Sequence, residues 1–181
     1  MTRQNTMDGK DKFFPRISRF VLSLPLLDAT AKTLQADGRF EVESILFWAG
    51  AVTYGVATVT DILVPKGWGL FQRPLHIRVD EGIVAALCDV LDPPRLVLLG
   101  QVHTHIDEAF HSYSDDHFSF GTSGLLSIVV PDAARGGAEP WREWAFLECQ
   151  GGSEFRSIES EERSERFSIG SHAVRTHEIH A

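Results

Sequence analysis

Leu96, Val97, Leu98 and Leu99 are apolar at four consecutive positions, and this run constrains the fold more than any other. A strand turns successive side chains to opposite faces, so a continuously apolar strand needs cover on both sides. The sheet holding Arg95 to Val102 therefore lies between helices, or between a helix and another layer. Two amphipathic helices are at hand. Pro25 suits the first position of one, Asp28 its first turns, and Leu27, Ala31 and Leu34 recur at helical intervals until Gly38 stops the pattern. The other, Asp80 to Val90, carries Ile83, Val84, Leu87 and Val90 on one side and ends at Pro93-Pro94.

Strand character marks Ile17 to Leu24, Val42 to Trp48, Tyr54 to Val64 and Ser127 to Val130, with a break expected around Gly50. Lys66 to Pro74 reads as an ordered loop. Trp144 to Cys149 and Glu154 to Ile158 pair as a late hairpin across Gly151-Gly152. The charged stretch ESEERSERF that follows reads as a solvated helix or loop. The fold class is α/β.

At 181 residues and 43% hydrophobic, the chain fits one domain with a true core. Its net charge of −8 repels nucleic acid and anionic membrane. The longest basic candidate, Lys10 to Arg19, is interrupted by Asp11, two Phe and a Pro. Cys88 and Cys149 each sit in a mostly apolar segment and are expected as reduced, buried thiols. No apolar run approaches the roughly 20 residues that span a bilayer, and the start MTRQNTMDGKDK is unlike a secretory signal. The expectation is a cytoplasmic protein that binds neither nucleic acid nor membrane.

Chemistry concentrates in GQVHTHIDEAFHSYSDDHFSFG, Gly100 to Gly121. His103 and His105 close the apolar strand, and residues two apart on a strand share a face, so both imidazoles can converge on one point. Asp107, Glu108, His111, Ser112, Asp115, Asp116 and His117 follow in the next twelve residues. Zinc in a hydrolase takes three ligands from His, Asp and Glu and leaves a fourth position for water. A carboxylate base must stand beside those ligands in space, wherever it falls in the chain. Plainer uses exist for several of these residues. Ser112 also suits a helix cap, His111 and His117 suit the surface, and Trp48, Trp68, Trp141 and Trp144 suit core or loop anchoring.

Glu43, then His103-Thr104-His105 at the end of an apolar strand, then Ser112-Tyr113-Ser114-Asp115, together resemble the JAMM (MPN+) signature of Glu, His-x-His, a spacer and Ser-x-x-Asp. The resemblance extends over residues 17–149 in the order of strands and helices. It implies an MPN-like, cytidine-deaminase-like mixed β-sheet flanked by helices in a single domain. Residues 1–15 are then a flexible segment, 16–160 the catalytic domain and 161–181 its C-terminal extension. The resemblance also implies one zinc per chain, held by His103, His105 and Asp115. Glu43 becomes general base and then general acid, with Glu41 the neighbour on the same strand face. Ser112 becomes the hydrogen-bond donor to the developing oxyanion. Two departures from the family pattern stand out. Ile106 replaces the usual proline, and the spacer is one residue short, so counting from His105 selects Asp116 in place of Asp115.

Members of the family cleave amide bonds after the carboxyl terminus of ubiquitin or ubiquitin-like proteins, in deconjugation or precursor processing. Some bacterial members stand beside ubiquitin-like proteins and their activating and conjugating enzymes in antiviral defence. The partner implied is thus a ubiquitin-like protein. The alternatives are a zinc hydrolase of a small amide metabolite, which would use the same residues, and a non-catalytic scaffold of the same fold. HTHIDE also resembles the His-x-His-x-Asp-His run of metallo-β-lactamase-like enzymes, but Glu108 stands where the last histidine belongs.

Overall fold

The computed structural model describes residues 16–38, 42–67, 70–73, 76–93, 95–106, 121–138 and 141–180. β1 (Arg19–Ser23) runs directly into α1 (Leu24–Gly38). The Ser23 hydroxyl accepts the Leu26 N–H at 3.3 Å, satisfying a donor that the first helical turn leaves open, while Pro25 has none to satisfy. Leu26, Leu27, Ala31 and Leu34 make the buried stripe. Thr30 lies buried with them and accepts the Trp48 indole N–H at 2.9 Å, so Trp48 is a core anchor.

β2 (Ile45–Thr53) and β3 (Val56–Lys66) form a hairpin. Tyr54 and Gly55, at φ 49° and 77°, are the left-handed pair that a two-residue type I′ turn requires. The strand expected from Tyr54 therefore begins at Val56. Gly50 does not break β2 but lies within it at a register shift. A Cβ there would stand 1.9 Å from the Thr58 carbonyl oxygen, so the strand continues because nothing projects.

The expected loop after Lys66 is partly strand. β4 (Leu70–Arg73) pairs antiparallel with β5 (His76–Val79) in a small separate sheet, and Leu70, Ile77 and Val79 pack against the core. α2 (Glu81–Val90) follows, with the Asp80 carboxylate accepting the Gly82 and Ile83 N–H groups. Then come β6 (Val97–Thr104), β7 (Leu126–Val130), the hairpin of β8 (Ala145–Gly151) and β9 (Glu154–Ser157), and α3 (Ser160–Arg166). β10 (Phe167–Gly170) and β11 (Arg175–His180) complete the order.

Among the described residues the main sheet has nine strands, in the order β10-β1-β3-β2-β6-β7-β8-β9, with β11 on the remaining length of β3. It is mixed: β1 is parallel to both β10 and β3, β11 is parallel to β3 and β6 to β7, and the remaining pairs are antiparallel. One face packs α1 through Leu46, Trp48, Val102, Leu126 and Ile128. The other packs Ile83 and Leu87 of α2 against Ile45, Phe47, Ala49 and Leu63. Leu99 serves the first cluster and Leu98 lies against the second, the two-sided cover that the apolar run demands. The sheet curls so far that Phe146 of β8 approaches Phe167 of β10, near the other end of the strand order, with ring centres 4.9 Å apart.

Trp141 and Trp144 are also core residues, and Trp68 lies outside the described residues. Cys149 is buried and free, as expected, but Cys88 is free and exposed. Position 88 points away from the Ile83 and Leu87 stripe of α2, so its apolar neighbours in sequence do not cover it.

Candidate functional site

The site is built where β2 enters the sheet and β6 leaves it. Ile45 pairs with His103 in antiparallel register. One step further, the Thr104 N–H donates to the Ser44 carbonyl at 2.9 Å, and the Ser44 N–H donates to Thr104 Oγ1, also at 2.9 Å. Continuing that register sets Glu43 across from His105. Because side chains alternate, Glu43, His103 and His105 share one face while Ser44 and Thr104 point to the other. Glu43 precedes β2 in an extended segment, not within a strand beginning at Val42, and Ser44 and Thr104 are what keep it in register. Glu41 lies outside the described residues.

All three side chains are buried, with Glu43 5% exposed, His103 2% and His105 6%. The two imidazole centres are 5.2 Å apart with planes tilted by 52°, and both Nε2 atoms are shielded from solvent. Two imidazoles sharing one zinc through nitrogens at about 2.0–2.1 Å have ring centres about 5 Å apart, so the pair fits a common metal. Two imidazole nitrogens are donors that zinc accepts. Among the described residues no three of His, Cys, Asp and Glu are grouped to hold a metal ion. Ser112, Asp115 and Asp116 lie outside the described residues, as do Asp107, Glu108, His111 and His117.

His105 lies one residue past β6, and its backbone is held on both sides. Its N–H donates to the Val130 carbonyl at 3.0 Å, and its carbonyl accepts the Ala133 N–H at 2.8 Å. Ala133 belongs to a tight turn in which Asp132, Ala133 and Ala134 have φ of 53°, 49° and 60°. Left-handed backbone costs an ordinary L-residue about 1–2 kcal/mol, and such strain gathers at functional sites. No glycine announces this turn, so sequence reasoning missed it. It also missed the buried pair Gln101 and Ser127 below the histidines, where two polar residues in apolar strands were the available signal.

No family model matches the chain. Over 111 residues it is 31% identical to a protein of Sinorhizobium fredii named "Probable metalloprotease y4jG". The match takes in 56% of this chain and spans 64% of that relative's length. The solution structure of protein DSY2949 from Desulfitobacterium hafniense superposes with a TM-score of 0.59 at 14% identity, covering 85% of this chain and 94% of that one. The two share a fold. Among the described residues no helix is long and apolar enough to cross a membrane.

Proposed function

We propose that this chain is a zinc metalloprotease of the JAMM type that hydrolyses the amide bond after the carboxyl-terminal tail of a ubiquitin-like protein. The observation that carries this is the register of β2 on β6, which sets a buried glutamate across from the second of two buried histidines on one face. Similarity to a probable metalloprotease supports peptidase chemistry.

His103 and His105 would hold the metal, with Asp115 or Asp116 as third ligand. Zinc, when bound, supplies a Lewis acid for the scissile carbonyl and acidifies water. Glu43 takes a proton from the attacking water as the new C–O bond forms, then returns it to the departing nitrogen as the C–N bond breaks. Ser112 donates a hydrogen bond to the carbonyl oxygen as it gains charge. Burial of Glu43 and both histidines keeps bulk water from screening these interactions. A narrow, Gly-rich tail suits a centre set among buried side chains, because it can approach in extended form where bulky residues cannot. A basic face on the partner complements the charge of −8. A ubiquitin-like protein encoded beside the chain, with its activating and conjugating enzymes, is the partner set this reading favours.

The test incubates the purified protein with such a ubiquitin-like protein extended by a short peptide, and reads the products by intact mass. Release of the peptide, abolished by chelator and by His103→Ala, is the expected result. Turnover of small amides with the extended protein left whole would instead identify a metabolite hydrolase. No turnover of either, with no zinc bound, would leave a scaffold.

A further inference from the structure

Two rows of side chains cross the face that carries the histidines. Ile45, His103, Val129 and Ala145 are partners across β2, β6, β7 and β8. One pleat lower the row is Phe47, Gln101, Ser127 and Leu147. That lower row is apolar except at its centre, where the Gln101 amide N–H donates to Ser127 Oγ at 3.1 Å. Gln101 is 3% exposed and Ser127 0%. Buried amides and hydroxyls are costly unless satisfied, and an apolar pair of the same size would pack between Phe47 and Leu147 without that requirement.

We propose that Gln101 and Ser127 are positioning residues for the histidine pair, a hydrogen-bonded step beneath His103 that holds its ring in the orientation a metal needs. The proposal rests on the metal-centre reading above. Residues two apart on a strand stand side by side on one face, so the Gln101 side chain is the immediate neighbour of His103 along β6. A ligating imidazole uses one nitrogen for the metal, and the hydrogen-bonding surroundings of the other fix its tautomer and tilt. A glutamine free to rotate would orient nothing. Tied to Ser127 on the adjacent strand, its amide has one plane and one direction.

The experiment measures zinc affinity by competition with a chromogenic chelator, and the visible spectrum of the cobalt-substituted protein, alongside thermal melting. Gln101→Leu, Ser127→Ala and the double variant, which leaves no polar atom of the pair, should fold. Each should bind zinc about ten- to a hundred-fold more weakly, with an altered cobalt spectrum. Ser127→Thr, which keeps the hydroxyl, should restore both. Unchanged affinity and spectrum in the folded double variant would overturn the positioning role while leaving the metal centre intact. A wild-type protein that takes up neither zinc nor cobalt would overturn the metal-centre reading, and this role with it.

Discussion

On the proposed mechanism, position 43 needs a carboxylate for chemistry and tolerates an amide for structure, since glutamine matches glutamate in shape and still forms hydrogen bonds. Glu43→Gln should therefore keep the melting temperature and the zinc content but lose about 100- to 10,000-fold in turnover, the usual span for a positioned acid–base group. Zinc analysis beside the peptide-release rate checks this, and full activity would move the base elsewhere. The shared face of His103 and His105 was legible from a spacing of two on a strand. Glu43 was named only through the family resemblance, because a partner sixty residues away comes across from the histidines only through strand pairing. The turn at 132–134 went unread for a different reason: alanine carries no signal for positive φ, and the hydrogen bond from Ala133 to His105 is a tertiary contact.

Among the elements, β11 shows how a late strand is fastened. Asp61 of β3 is buried and accepts from Arg175 Nη2 at 2.8 Å, from the Thr60 hydroxyl at 2.6 Å and bonds His177 Nε2 at 2.8 Å. Burial alone would raise the Asp61 carboxyl, but the bonds from Arg175, Thr60 and His177 outweigh it and hold it below its ordinary value. A folded value below the unfolded one means the stabilisation is complete above about pH 4 and is lost as pH falls through the folded value. Melting temperature should therefore drop on acidification below about pH 4, and Asp61→Asn should flatten part of that slope. At neutral pH the same variant should cost about 1.5–3 kcal/mol, the range for hydrogen bonds to a charged group, read from denaturant titration. A second element-scale test is Gly50→Ala. With its Cβ 1.9 Å from the Thr58 oxygen, β2 and β3 must part, at about 1–3 kcal/mol, and an unchanged melting temperature would contradict the close approach.

For the whole molecule, the decisive feature is how the curled sheet is joined across its ends. Arg166 bonds Glu148 of β8 at 2.7 Å and Glu162 of α3 at 3.0 Å, and Arg156 of β9 bonds the same two carboxylates at 3.0 and 2.6 Å. Phe167, the next residue, stacks on Phe20 of β1 with centres 5.3 Å apart. Burial pushes the Glu148 carboxyl up, but Arg166 and Arg156 outweigh it, and its value is lowered. Glu162 is brought down to about 2, chiefly by Arg156. By the same sign rule, this closure weakens only as pH falls from about 4 toward 2. Arg166→Met should leave Glu148 partly buried without its nearest cation and destabilise by about 3 kcal/mol. Glu148→Gln on top of it should recover part of the loss. A double variant no better than the single would show that the guanidinium matters through packing on Phe20 instead, which it overlies at 5.9 Å.

Local pattern was enough for what depends on neighbours in the chain. Both long helices, the late hairpin, the two-sided burial of Leu98 and Leu99, and the common face of His103 and His105 follow from side-chain periodicity and capping. Residues 160–166 showed only their charge, and which carboxylate meets which guanidinium depends on β8, β9 and α3 coming together. β10 and β11 went unread because short edge strands such as RTHEIH carry little apolar signal and are specified by pairing with β1 and β3. Glu43 comes to stand across from His105, and Gln101 meets Ser127, through registers between strands distant in sequence. Those registers are set by burying one face of each strand at once, a condition that exists only in the folded sheet.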